Sequence, residues 1–300
     1  MVFHRVSILP PFMALLAGLL PGVAAGEETR PFHIGMLAAG ADPAAIEGLG
    51  DIRAAFSTAL AMPVEVLVAR DYAALMEAQI AGRIDYAIYT AAAYAAAQSR
   101  CECLLPLAAP VDADGAVGFR SVLILRSGPD DAAPPVIAVG PADSLAGRLV
   151  PLAAWPGAQD AVGSGRLVAT EGASAALALF AEGEVDGFFG WLPAAAEEEL
   201  PMGGTLERLE AAGIAGDTYE IAWRSDLLRY GPHAVRADLP EDRVAALSQF
   251  LATLGGNPDL HYLLTRRYGG GLSPVTSQDY APVMEALSAI GRDIASAAPD

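Results

Sequence analysis

Apolar and polar positions along the chain switch between a short and a helical period, and the switches mark out strands and helices. Phe32 to Leu37 is an apolar run that predicts a strand. After a loop with Gly40, Asp42 and Pro43, the residues Ile52, Ala55, Phe56, Ala59 and Leu60 recur three and four apart, as on one face of a helix that Pro63 ends. Val64 to Ala69 predicts a second strand. Asp71 is placed to cap a helix over 72–81, and Gly82 sits where a left-handed residue closes such a helix. Ile84 to Tyr89 gives a third strand. Strands and helices in this alternation build a mostly parallel sheet covered on both faces.

The same unit returns further along. Val136 to Gly140 is a strand, Ala173 to Glu182 a helix, Gly183 its stop and Val185 to Phe189 the next strand. Gly82-Arg83-Ile84-Asp85 is echoed by Gly183-Glu184-Val185-Asp186. The expectation is an α/β protein with two Rossmann-like lobes. Val122 to Arg126 is placed to cross between them and Tyr219 to Trp223 to return. Lobe 1 is then expected over 30–120 and 222–295, and lobe 2 over 121–221. Two crossings make a hinge, and hinged lobes close on a ligand held between them. Near the C-terminus, Pro240 opens a helix with Val244, Leu247, Leu251 and Leu254 on one face, and Gly255 ends it. Thr276 with Asp279 predicts a capping box ahead of the last helix.

Composition narrows the class. The 300 residues suffice for one large domain or two modest ones. Acids outnumber bases 36 to 18, the net charge is −18, and every base is arginine. Such a surface argues against nucleic acid or an anionic membrane as partner. Screening beyond roughly 8 Å still permits a local anion site. Residues 1–25 read as a signal peptide: a basic start at Met1 to Arg5, an apolar stretch from Val6 to Leu20, then Val23-Ala24-Ala25 before cleavage at Gly26. The stretch is short of the ~20 residues of a membrane span, and prolines interrupt it. No cysteine follows the cleavage site, so a lipid anchor is not expected. The expected product is a free, monomeric periplasmic protein.

Chemistry-bearing motifs are sparse. Cys101 and Cys103 are separated by Glu102 alone. A disulfide across so short a span is expected to be strained, so two half-buried thiols at a strand start are predicted. His4, His33, His233 and His261 lack metal-ligand spacing. Gly269-Gly270-Gly271 follows Tyr268 as a loop, not as a phosphate cradle opening a helix. Asp112 and Asp114 read as solvated. With no lysine, a pyridoxal-phosphate Schiff base cannot form. No catalytic residue, metal or cofactor is expected, although a triad assembled from distant residues would leave no local trace.

The order of several segments resembles one family. Asp71-Tyr72-Ala73-Ala74-Leu75 through Gly82-Arg83-Ile84-Asp85, then Thr90-Ala91-Ala92-Ala93-Tyr94, Gly183-Glu184-Val185-Asp186, Trp223-Arg224-Ser225, and Pro274-Val275-Thr276 through Asp279-Tyr280-Ala281-Pro282-Val283 are similar to the phosphonate/phosphite-binding (PhnD-like) periplasmic proteins of ABC importers. The resemblance spans about residues 34 to 290. It implies the type II periplasmic-binding-protein fold, a small-molecule ligand, and a permease and ATPase as partners. It also implies a ligand loop after the first strand of lobe 2, where this family usually carries Ser-Thr-Ser-Gly. Here the turn reads Asp143-Ser144-Leu145-Ala146-Gly147, with one hydroxyl kept and a carboxylate added. Glu171, Gly172 and Ala173 occupy the region where the family often has a histidine. The ligand is therefore open between a phosphonate, phosphite or phosphate-like anion and a divergent neutral, zwitterionic or cationic solute.

The ligand-binding candidates are Thr90, Tyr94, Asp143, Ser144, Leu145 and Trp191. Each has a plainer reading. Tyr94 and Trp191 fit core packing equally well, Thr90 shares that ambiguity, and Asp143 reads more readily as a cap for the following helix. Trp223 and Ser225 belong to either the hinge or the cleft. Three functions fit this frame: an importer's binding protein, a sensor module that presents its closed form to a separate receptor, and an enzyme on the same fold.

Overall fold

The structure, a computed structural model, describes residue 1 and residues 30–38, 48–128, 133–195 and 203–296, with residue 195 and the last six described by their backbone alone. The signal segment and the Gly40–Pro43 loop lie outside the described residues. From residue 31 onward the chain forms one unit containing two sheets.

The first half of the chain alternates as its pattern predicts. Strand β1 (Phe32–Leu37) leads to helix α1 (Leu49–Leu60), strand β2 (Val64–Ala69), helix α2 (Tyr72–Ile80), strand β3 (Tyr86–Ile88), helix α3 (Ala91–Cys101) and strand β4 (Leu104–Pro110). Asp71 does cap α2, its carboxylate accepting from the Ala74 amide at 2.7 Å, and Gly82 takes φ 71° just beyond the helix. The second sheet begins with β5 (Ala116–Arg126) and β6 (Ile137–Val139). The short helices α4 (Val150–Ala154) and α5 (Ala158–Gly163) follow, then β7 (Leu167–Ala169), α6 (Ala173–Glu182), β8 (Gly187–Ala195), α7 (Gly204–Ala211), β9 (Tyr219–Arg224) and β10 (Leu228–Arg229). The chain then returns through β11 (His233–Arg236), α8 (Glu241–Thr253), α9 (Pro258–Thr265), β12 (Leu272–Pro274) and α10 (Ala281–Ser296). The Thr276–Asp279 capping box forms ahead of α10.

Sheet 1 has the order β12-β4-β11-β3-β1-β2, and sheet 2 the order β10-β5-β8-β6-β7 with β9 also paired to β5. In sheet 1, β11 runs antiparallel to both neighbours and β12 antiparallel to β4. In sheet 2, β5 alone runs against the rest. The chain passes from sheet 1 to sheet 2 between Pro110 and Ala116, and back between Arg229 and His233. Val122–Arg126 and Tyr219–Trp223 both lie within sheet 2, paired to each other.

The sequence echo has a physical basis. The Asp85 carboxylate accepts from the His33 amide at 2.9 Å, while the Asp85 amide donates to the His33 carbonyl at 2.8 Å. Asp186 repeats both bonds with Val136, each at 2.8 Å. In each lobe one aspartate locks the start of the second-unit strand to its parallel neighbour, and the left-handed glycine before it (Gly82, Gly183) turns the helix into that strand.

The two cysteines depart from expectation. Cys101 and Cys103 are joined in a disulfide, with Cα atoms 5.0 Å apart. Glu102 leaves α3 in the left-handed conformation, φ 48°, which folds the chain back within bridging distance. Asp112 departs as well: it is not a solvated loop acid but the acceptor for Arg267 Nη1 at 2.5 Å and the Tyr230 hydroxyl at 2.5 Å.

Candidate functional site

The two sheets face each other across a pocket of about 500 Å³, within the range of small-molecule sites. Sheet 1 and its helices supply Ile88, Tyr89, Thr90, Pro110, His233 and the end of α9; from sheet 2 and the turn after β6 come Phe119, Asp143, Leu145 and Arg229. The pocket lies beside both passages between the sheets. Glycine is required there by close approach. A Cβ on Gly231 would sit 1.8 Å from the Tyr89 carbonyl oxygen, and one on Gly118 2.2 Å from that of Leu228. The passages are tied together by Asp112, which holds Tyr230 from one passage and Arg267 from the end of α9, with the Arg267 guanidinium 3.7 Å from the centre of the Tyr230 ring.

The pocket wall is positive in an acidic protein. Arg229, Arg266 and Arg267 line it against one carboxylate, Asp143. Arg267 is neutralised by Asp112 and Arg266 lies over Tyr262. Arg229 is buried, at 9% exposure. Its Nη2 donates to Ser273 Oγ at 2.7 Å, and its buried Nε has no hydrogen-bond partner.

His233 is a second buried polar group with an unpartnered nitrogen, Nε2. Burial, with the charge of His261 adding to it, lowers its pKa to about 3, so the ring is neutral at neutral pH. Its Nδ1 meets the Tyr86 hydroxyl, which burial keeps protonated. The two groups share one proton-mediated contact, the neutral ring and the protonated hydroxyl each able to donate in it.

The six sequence candidates separate. Thr90, Asp143 and Leu145 line the pocket. Thr90 also caps α3, accepting from the Ala93 amide at 3.1 Å. Asp143 is exposed and is not the cap; Ser144 fills that role, its Oγ accepting from the Gly147 amide at 3.1 Å. Tyr94 is fully buried, with its hydroxyl on Ser277 Oγ and its ring against Tyr280, so the structure brings it to the core. Trp191 is half-buried and stands behind the wall, edge-on to Phe119. Trp223 packs at right angles to Phe189, and the Ser225 hydroxyl accepts from the Ser121 amide at 2.9 Å, which links the strands leading into and out of sheet 2. Sequence reasoning missed Tyr72, Tyr89, Phe119, Arg229, Tyr230 and Arg267. One signal was there to read: Arg229 interrupts an otherwise apolar stretch, Leu227-Leu228-Arg229-Tyr230, as a buried charge does.

Among the described residues no group of three or more His, Cys, Asp or Glu could hold a metal, and no helix is long and apolar enough to cross a membrane. The arrangement suits binding: aromatic and apolar walls, an arginine with an unpartnered Nε, and residues supplied from both sheets.

Comparison with known proteins bears on the fold and on the family. No curated protein matches the sequence. The fold is similar to that of a binding-protein component of an ABC phosphonate transporter from Pseudomonas aeruginosa, with TM-score 0.50, 19% identity and 89% of each chain covered. It is also similar to a Xanthomonas citri protein bound to ATP, with TM-score 0.57, 14% identity, and 89% of this chain and 99% of that one covered. The same Xanthomonas citri protein bound to chloride gives TM-score 0.55 at 15% identity, covering 88% of this chain and 99% of that one. These likenesses speak for the fold. The family itself is shown by the sequence over residues 34–280, and the chain belongs to the periplasmic substrate-binding proteins of phosphonate ABC transporters.

Proposed function

We propose that the chain is the substrate-binding component of an ABC importer and captures a phosphonate or a related small oxyanion in the cleft between its two sheets. The observation that carries this reading is a pocket of about 500 Å³ walled from both sheets and flanked by both passages. A ligand there touches both walls at once, so its binding energy favours the closed arrangement. The division into two lobes is part of the same proposal, with the passages at 110–116 and 229–233 as its hinge; this moves the boundaries expected at 120/121 and 221/222 outward to where the chain changes sheets, since the start of β5, the end of β9 and β10 all belong to sheet 2.

Thr90, Asp143 and Leu145 are the proposed ligand contacts among the sequence candidates. Ser144 shapes the turn that carries two of them, and Tyr94 and Trp191 support the walls from behind. The leader over residues 1–25 is cleaved and delivers a monomer to the periplasm, where the closed form docks on the permease and its ATPase. Turnover is not part of the proposed role.

Thermal unfolding of the mature protein against phosphonates, phosphite, phosphate, sulfonates, amino acids and polyamines tests this. A ligand at about 100 times its dissociation constant adds roughly 2.7 kcal/mol, which raises Tm by several degrees. The expected result is a shift with an oxyanion. A shift confined to polyamines, or to no member of the panel, contradicts the proposal.

A further inference from the structure

Arg229 is the one arginine among the described residues that is buried. The arginines that sit in ion pairs among the described residues each meet a carboxylate: Arg70 with Asp71, Arg267 with Asp112, Arg236 with Asp85 and Asp238, Arg166 with Asp160. Arg229 meets none among the described residues. Among the described residues its one side-chain hydrogen bond goes to a neutral hydroxyl, Ser273, and its Nε is buried without an acceptor. A guanidinium cannot shed its proton to escape burial. An unpaired charge held out of water is among the costlier features a fold can carry. The residue lines the pocket, at the passage between the sheets.

We propose that Arg229 is the group that holds the ligand's anionic head, the ligand supplying the counter-charge that the protein withholds. This rests on the cleft reading above and deepens it by naming the residue and the charge of what it takes. The ligand class is a small oxyanion: a phosphonate, sulfonate or carboxylate, whose oxygens match the donor fork of a guanidinium. Ser273 is the positioning residue. Its hydroxyl occupies Nη2 and fixes the plane of the fork, and the ligand meets the guanidinium from the side that lines the pocket.

The experiment is calorimetric titration of the mature chain with methylphosphonate, methanesulfonate, acetate, putrescine and glucose, repeated for R229M, R229K and S273A, with the unliganded Tm of each. The wild type is expected to bind at least one of the three oxyanions, and which one identifies the head group. R229M is expected to lose roughly 10- to 100-fold in affinity for it, and R229K to retain part of that. The unliganded Tm of R229M is expected to equal or exceed that of the wild type, since an apolar side chain relieves a buried unpaired charge. Equal oxyanion affinity in R229M and the wild type overturns the assignment while leaving the cleft reading intact. So does an unliganded Tm that falls in both R229M and R229K, which marks a purely structural arginine. Wild-type binding of putrescine or glucose alone overturns the anion assignment but keeps a solute-binding cleft, whereas binding of none of the five overturns both.

Discussion

His233 gives the molecule a defined response to acid. Its pKa in the folded chain is held down to about 3, against an ordinary value near 6.5 when unfolded. As pH falls below 6.5 the unfolded chain takes up the proton first, so acidification favours unfolding. The stability tied to this neutral ring is whole above pH 6.5 and drains as pH falls toward 3. The slope is at most about 1.4 kcal/mol per pH unit. Melting curves between pH 7 and pH 4 are expected to fall less steeply for H233Q than for the wild type; parallel curves would sink this account of the ring. Single residues were the least legible scale in the sequence. Asp143 and Ser144 are neighbours and both are good cap formers, so residue type could not tell which of them bonds the turn and which faces the pocket. Tyr94 follows a strand end, where ligands collect, yet α3 turns it toward Ser277 and Tyr280. Which way a helix rotates its residues is set by the neighbours it packs against, and that information is not local.

Elements were read more faithfully because their signals are local. Periodicity, caps and left-handed glycines placed β1, β2, α2 and α6 close to their observed bounds. The Gly-x-x-Asp echo pointed to a duplicated unit before its hydrogen bonds were known. Those bonds predict unequal costs. In D85A the His33 amide loses an acceptor in a buried setting, where Asp85 is 7% exposed and also faces Arg236, so urea unfolding is expected to show a loss of about 1–3 kcal/mol. D186A removes the matching bond from a more exposed place and is expected to cost about 0.5–1.5 kcal/mol. Equal losses would mean that the two aspartates are not distinguished by burial. G231A places a methyl group against the Tyr89 carbonyl and is expected to destabilise by about 1–3 kcal/mol through overpacking. A silent G231A would show that the passage yields. The disulfide escaped the sequence reading because it depends on one dihedral: Glu102 turning left-handed at the end of α3. It closes a very short loop, so C101S/C103S is expected to lose only about 1–2 kcal/mol under oxidising conditions.

At the scale of the molecule, two sheets are joined by two passages and share a pocket at the join. The two-sheet plan was legible from the repeated unit. The passages were harder to place, since the apolar segments that looked like crossings, Val122–Arg126 and Tyr219–Trp223, are paired strands inside sheet 2. The chain changes sheets at short polar or glycine-bearing stretches instead, around Asp112 and Gly231. Buried contacts already reach across: Val150 of α4 belongs to the same core cluster as Val283 of α10, and Leu145 packs against it. That seam allows a hinge motion about the two passages rather than free separation of the lobes. The central claim is capture by closure, and small-angle X-ray scattering of the mature protein tests it most directly. With an oxyanion shown by calorimetry to saturate the cleft, the radius of gyration is predicted to fall relative to the unliganded protein. An unchanged scattering curve at confirmed saturation would contradict closure and leave a rigid pocket in its place.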